Sequence, residues 1–226
     1  MTFFDELAER LPEMGPVLLL GTLDTVYMVL WATLFTIVFG LPLGVLLVTT
    51  DRGGLTPAPA VRAVLGAVVN VGRSLPFIVL MVAVLSLTRL LTGTTLGPTA
   101  AIVPLSIGAV PFFARLVETS LREVDRGVIE AAHAIGAPKA TIVGKVLLPE
   151  ALPGLIAGLV MTVVALISYS AMAGAIGAGG LGDIAIREGY QRFNDYYLWA
   201  TVICLVVVVQ LVQSLGDLLV RRFSHR

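Results

Sequence analysis

Residues 130–149 read Glu130-Ala-Ala-His-Ala-Ile-Gly-Ala-Pro-Lys-Ala-Thr-Ile-Val-Gly-Lys-Val-Leu-Leu-Pro149. This charged, small-residue stretch lies between long apolar runs in a very hydrophobic chain. Gly136 is a natural stop for a first helix over about 125–136. Pro138 suits the first turn of a second helix, where its missing N–H costs nothing. Ala131, Ala132 and Ala134 expose little side chain, so a helix carrying them can lie deep in a partner's groove. Glu130, near that helix's start, is placed for the helix dipole or for a basic group on a partner. These features alone also fit an ordinary amphipathic loop at a membrane surface.

The flanking sequence places the segment in a membrane protein. The chain is 57% hydrophobic and 13% charged, where soluble domains carry about 25% charged residues. Its mean hydropathy is +0.95, and several apolar runs approach the roughly 20 residues that cross a bilayer. A soluble all-α core would need polar helix faces, which the long runs almost lack. The formal net charge is zero, so no broad field attracts nucleic acid. The lone Cys204 excludes an intramolecular disulfide and reads as a small packing residue.

The expected architecture is an all-α polytopic membrane protein, a single domain over residues 1–226. It has five spans at about 18–48, 60–91, 98–118, 153–176 and 196–220, and a polar segment at about 119–151. Residues 1–16 read as a short amphipathic or surface segment. Their acidic start is unlike a signal peptide, so the first span is expected to be retained. Gly40 and Gly44 form a small-xxx-small face, as do Gly154 and Gly158. The second span reads as one long helix kinked near Pro76. With the 119–151 segment inside, ten of the fifteen Lys and Arg residues (Arg52, Arg62, Arg115, Arg122, Arg126, Lys139, Lys145, Arg221, Arg222, Arg226) face the cytoplasm. Arg10, Arg89, Arg187 and Arg192 lie outside. This bias puts the N-terminus outside and the C-terminus in the cytoplasm.

On the fourth span, Tyr169, Ser170 and Met172 are candidates for a pore or gate, because polar groups in spans often face a pathway. They fit helix–helix hydrogen bonding and packing equally. Gly177, Gly179, Gly180 and Gly182 are candidates for a hinge in an external loop, against the plainer reading of a turn. Arg73 is costly inside a bilayer and needs a partner or a headgroup. Gln210 and Gln213 read as interhelical hydrogen-bonding groups. His133 and His225 have no second ligand at metal spacing. No Ser/His/Asp or Cys/His set or carboxylate cluster points to catalysis, so no metal or catalytic residue is assigned. A secondary transporter would call for an ionisable relay or an inverted repeat, and neither is visible.

The segment resembles the EAA loop of ABC-importer permeases: EAA, three residues, Gly, nine residues, an aliphatic, one residue, then Leu-Pro. Glu130-Ala131-Ala132, Gly136, Val146 and Leu148-Pro149 meet that pattern, with Val146 where isoleucine is commoner. Arg73-Ser-Leu-Pro-Phe77, Ala101-Ile-Val-Pro-Leu105, the run from Val146 to Leu155, Tyr169-Ser-Ala-Met172 and Gly177-Ala-Gly-Gly-Leu-Gly182 extend the likeness. They are similar to permease subunits of methionine importers over about residues 20–220. The resemblance implies a type I ABC-importer permease fold in the bacterial inner membrane. It implies a homodimer on two ATPase subunits, fed by a periplasmic or lipid-anchored binding protein. Glu130, Ala131, Ala132, Gly136, Ala137, Pro138, Leu148 and Pro149 would then couple to the ATPase. The chain has no Walker A motif, so ATP and Mg would be held by the partner and no cofactor by this chain. D- or L-methionine is the implied substrate; another small amino acid or organic solute is the alternative within the class.

Overall fold

The computed structural model describes residues 3–223, and every element in that range is helical. His225 and Arg226 lie outside the described residues. The first helix, α1 (Phe3–Thr49), passes through Pro12, Pro16 and Pro42 without interruption. At 47 residues it rises about 70 Å, so residues 3–16 are its opening turns rather than the separate surface segment expected. Those turns are anchored through side chains: Tyr196 donates a short hydrogen bond to Glu6, and the Arg10 guanidinium lies 4.5 Å from the centre of the Tyr196 ring.

The expected continuous second span is divided into α2 (Pro59–Ser74), α3 (Phe77–Ala83) and α4 (Leu85–Thr92). Pro76 causes the main break. Its ring disfavours helical backbone at Leu75, and Pro76 itself is extended at φ −58°, ψ 134°. A kinked helix is therefore replaced by an ended helix and a restarted one. Ser74 Oγ donates to the Asn70 carbonyl at 2.8 Å, occupying an acceptor freed at the end of α2.

The remaining long helices are α5 (Pro98–Arg122), α9 (Leu152–Gly174) and α11 (Asp195–Phe223). Between α5 and α9 run α6 (Arg126–Ala134), α7 (Lys139–Ile142), a π-helical turn over Val143–Leu147, and α8 (Leu148–Glu150). α10 (Gly180–Ile184) and a second π-helical turn (Ala185–Tyr190) precede α11. Among the described residues, four helices are long and apolar enough to span a membrane, or five when α2 and α3 count as one broken span. Many large apolar side chains point outward, among them Leu19, Leu30, Phe39, Leu211 and Leu215. That is the pattern of helices solvated by lipid rather than water.

Two compact units organise these helices. One gathers the first part of α1, α3, α4, the start of α5, the end of α9, α10 and most of α11. Its buried core includes Met14, Leu18, Leu181, Ile184 and Ala200. Thr25 on α1 accepts a hydrogen bond from the Leu181 N–H at 2.9 Å, which fixes the start of α10. The other unit gathers the end of α1, α2, the end of α5, the 126–150 segment and the start of α9. Phe113, Val117, Leu121, Leu147 and Ala151 form its core, with Ile37, Leu41 and Val45 packed on them. Here Gly44 lets α1 lie against α5: a Cβ at Gly44 would stand 2.5 Å from Val117 Cβ. Gly154 and Gly158 likewise meet Ser120 and Leu116 of α5. Both small-residue faces seen in the sequence thus serve close helix packing.

Candidate functional site: the 126–150 segment and the ionic cluster beside it

α6 is built as a short helix with both ends closed. Asp125 caps its start, Oδ1 accepting from the Gly127 N–H at 2.7 Å. Such caps are worth about 1 kcal/mol. At the other end Gly136 takes the left-handed conformation, φ +76°. The Ala137 N–H bonds to the Ala132 carbonyl at 3.1 Å and the Gly136 N–H to that of His133 at 2.9 Å. This pair of bonds is a Schellman motif, and it requires a residue at ease with positive φ. Ala132 is buried, while Glu130, Ala131, His133 and Ala134 are exposed. The small-residue face is presented outward on a short rigid rod.

Pro138 is the cap of α7 rather than a residue of its first turn, with φ −66° and ψ 148°. The Leu-Pro pair has a visible backbone consequence. Pro149 has no N–H to give the Lys145 carbonyl, and the preceding backbone widens into the π-helical turn. The Leu148 N–H reaches back five residues to the Val143 carbonyl. Leu148 is half-buried against the core of this unit and Pro149 is exposed. The eight coupling candidates therefore divide into two groups. Glu130, Ala131, Ala132, Gly136, Ala137 and Pro138 form the rod and its corner, and Leu148 and Pro149 form the return.

A cavity of about 430 Å³ lies against α6, lined by Asp51, Gly53, Leu55, Arg122, Arg126, Glu130, His133 and Leu147 among others. Beside it is a cluster that the sequence reading did not single out. Glu118 on α5 is only 3% exposed. Its Oε1 accepts from Arg62 Nη2 of α2 at 2.7 Å and from Arg122 Nη2 at 3.0 Å, and its Oε2 accepts from Arg115 Nη1 at 2.5 Å. Arg122 also donates to Asp51 Oδ2 at 2.5 Å, and Arg115 to Asn70 Oδ1 at 2.6 Å. One buried carboxylate thus joins α2, α5 and the α1–α2 loop. Removing a single partner from a buried ion pair costs about 3–5 kcal/mol, because the other charge is stranded. The spacing of Arg115, Glu118 and Arg122, three and four residues apart on one helix, is a sequence signal for part of this cluster. Arg62 has no such signal, since it arrives from 56 residues away.

Hydrogen bonding to Arg122 and to the Arg52 backbone holds the Asp51 carboxyl below its ordinary value of 3.8. Its lowered native value means that its contribution to stability is present above about pH 3.8 and is lost as pH falls through the native value. Asp51→Asn is therefore expected to lower the thermal midpoint of the detergent-purified protein at neutral pH. The gap to wild type is expected to close in strong acid; a gap that persists unchanged would contradict this role for the carboxylate.

The three pore or gate candidates have different surroundings. Tyr169 stacks on Phe77, with ring centres 4.5 Å apart and planes 6° from parallel. Ser170 is 1% exposed and donates to its own helix, to the Ile167 carbonyl at 2.7 Å. Met172 is half-exposed. The glycine loop has packing and conformational causes. Gly177, Gly179 and Gly180 have φ near +80°, and Gly182 packs on the Ala171 backbone. Arg73 is exposed in the last turn of α2, where a cation suits the helix dipole.

Comparisons with known proteins agree with this geometry. Residues 40–225 match the family model described as "Binding-protein-dependent transport system inner membrane component". The chain is 51% identical, over 99% of both chains, to the probable D-methionine transport system permease protein MetI of Vibrio cholerae. It is 48% identical to the methionine import system permease protein MetP of Bacillus subtilis, over 80% of this chain and 82% of that one. Among solved structures, it superposes with a TM-score of 0.93 on a chain of the MetNI methionine ABC transporter in an inward-facing conformation. That chain is 44% identical, and the match covers 94% of this chain and 99% of the other. The fold also matches a chain of an amino acid ABC transporter, at TM-score 0.78 and 19% identity. The chain belongs to the family of binding-protein-dependent transport system inner membrane components.

Proposed function

We propose that this chain is the permease subunit of an ATP-driven methionine importer in the bacterial cytoplasmic membrane. Near-full-length identity to permeases named for D-methionine transport carries the substrate class. In this reading α6 docks on an ABC ATPase, and a second copy of the chain completes the pathway. A binding protein delivers methionine to the outer face, and the N-terminus lies on that side. Glu130, Ala131, Ala132 and Gly136 to Pro138 form the docking rod. Leu148 and Pro149, with the π-helical turn before them, set its angle to α9. ATP and Mg are bound by the ATPase.

The mechanism follows from how the rod is held. Its closed ends make α6 move as a unit, and its exposed alanines admit close approach. ATP-driven approach of two ATPase subunits displaces two such rods. The spans then alternate between an outward-open state that receives methionine and an inward-open state that releases it. The test is reconstitution in liposomes with the ATPase and the methionine-loaded binding protein. Stimulated ATP hydrolysis with uptake of labelled methionine is the expected result. Stimulated hydrolysis with no methionine movement would redirect the substrate to another small solute. No association with an ATPase would overturn the reading.

A further inference from the structure

We propose that the Glu118 carboxylate is a positioning residue for coupling. It makes the α1–α2 loop, the start of α2 and the end of α5 follow the docking rod as one piece. The proposal rests on the docking reading of α6 and assigns the path by which that rod's displacement enters the spans.

Connectivity supplies the first argument. α5 ends at Arg122 and Asp125 already caps α6, so a displaced rod pulls first on the last turn of α5. Packing supplies the second. The cavity lined by Asp51, Gly53, Arg122, Glu130 and His133 stands where side chains would otherwise pack α6 against the 51–55 loop. An ionic link runs from that loop to α5: Asp51 to Arg122, Arg122 to Glu118, and Glu118 on to Arg62 of α2. Chemistry supplies the third. An apolar plug of similar volume can stabilise as well as a buried ion pair, yet it does not impose a register. Three guanidinium groups around a carboxylate that is 3% exposed, with Asp51 at the rim, fix two helices and a loop in one relative position. Guanidinium–carboxylate hydrogen bonds are directional, so the cluster transmits rotation as well as translation.

The deciding measurement is methionine moved per ATP hydrolysed, in liposomes holding the assembled transporter and its binding protein. Glu118→Gln keeps the side chain's size and removes its charge. The assembled variant is expected to hydrolyse ATP while its transport per ATP falls about tenfold, within the usual range of coupling between separated sites. Asp51→Asn changes only the solvent-facing rim of the cluster and is expected to lower the same ratio by a smaller factor. A purely structural role would reduce the yield of assembled transporter and leave the ratio untouched. Wild-type ratios in both variants would overturn the proposal. Where Glu118→Gln yields no assembled transporter, Asp51→Asn decides alone. Failure of the docking reading itself shows differently, as a wild-type chain that binds no ATPase or a Gly136→Leu variant that transports normally.

Discussion

Gly136→Leu is expected to remove most methionine uptake while leaving the amount of inserted protein at the wild-type level. A Cβ at Gly136 meets no atom within 4 Å, so crowding is not the cause. The backbone is the cause: φ is +76°, and a residue with a side chain pays about 1–2 kcal/mol there. That is roughly a five- to thirtyfold loss of the folded corner (1.4 kcal/mol being tenfold). Relaxing the strain means leaving the left-handed region, which gives up the bonds from Ala137 to Ala132 and from Gly136 to His133. The end of α6 then frays and the path to Pro138 changes direction. The helices that cross the membrane are untouched, so insertion is unaffected. Gly15→Ala on α1 is the control: the new methyl group meets nothing within 4 Å and the position has no positive φ. Uptake by Gly136→Leu equal to that of Gly15→Ala would remove the docking role from α6.

Gly182→Val is expected to have the largest effect on stability, with little folded protein recovered. An added Cβ at Gly182 would lie 2.4 Å from the Ala171 carbonyl oxygen and 2.5 Å from its Cα. Both are backbone atoms of α9, so no side-chain rotation relieves the clash. Gly174 meets the same crossing from the other side, its Cβ 2.3 Å from the Asp183 nitrogen. Forcing atoms into a packed contact of this kind costs about 1–3 kcal/mol and sometimes more. The branched side chain of valine adds a second clash to the first. The measurement is the detergent-extracted yield and thermal midpoint beside Gly15→Ala. That substitution adds a methyl group to open space on α1 and is expected to be neutral or mildly stabilising. A wild-type midpoint for Gly182→Val would mean that α9 and α10 are not held backbone to backbone.

Local chemistry explains what could be read ahead. The end of α6 followed from Gly136, because a helix cap depends on the conformational limits of one or two residues. The spans followed from apolar length, because a bilayer leaves the backbone few alternatives to helix. The Gly40/Gly44 and Gly154/Gly158 faces were legible for the same reason: only small residues let two membrane helices approach so closely. Pro76 marked a disturbance, but proline alone does not state whether a helix bends or ends. That depends on where the freed groups find partners, and here Ser74 and a restarted α3 provide them.

The candidate site divides along the same line. The EAA pattern was visible as spacing, while its separation into an exposed rod and a half-buried return depended on the packing of Leu147 and Leu148. Ser170 fitted a pathway group and a helix-bonding group equally, since hydroxyls in spans serve as both. In the fold it is satisfied within its own helix and buried. The opening turns of α1 looked like a surface segment because their composition is polar. They continue the helix, with Tyr196 held to Glu6 and beneath Arg10 across almost the whole length of the chain. Sequence alone therefore settled the all-helical membrane class and marked the EAA pattern, because each depends on neighbours a few residues apart. Tertiary structure decided the Glu118 cluster, the cavity beside α6 and the fates of the polar span residues. A charge or hydroxyl takes its meaning from the partner that folding brings to it, and nothing in local spacing names that partner.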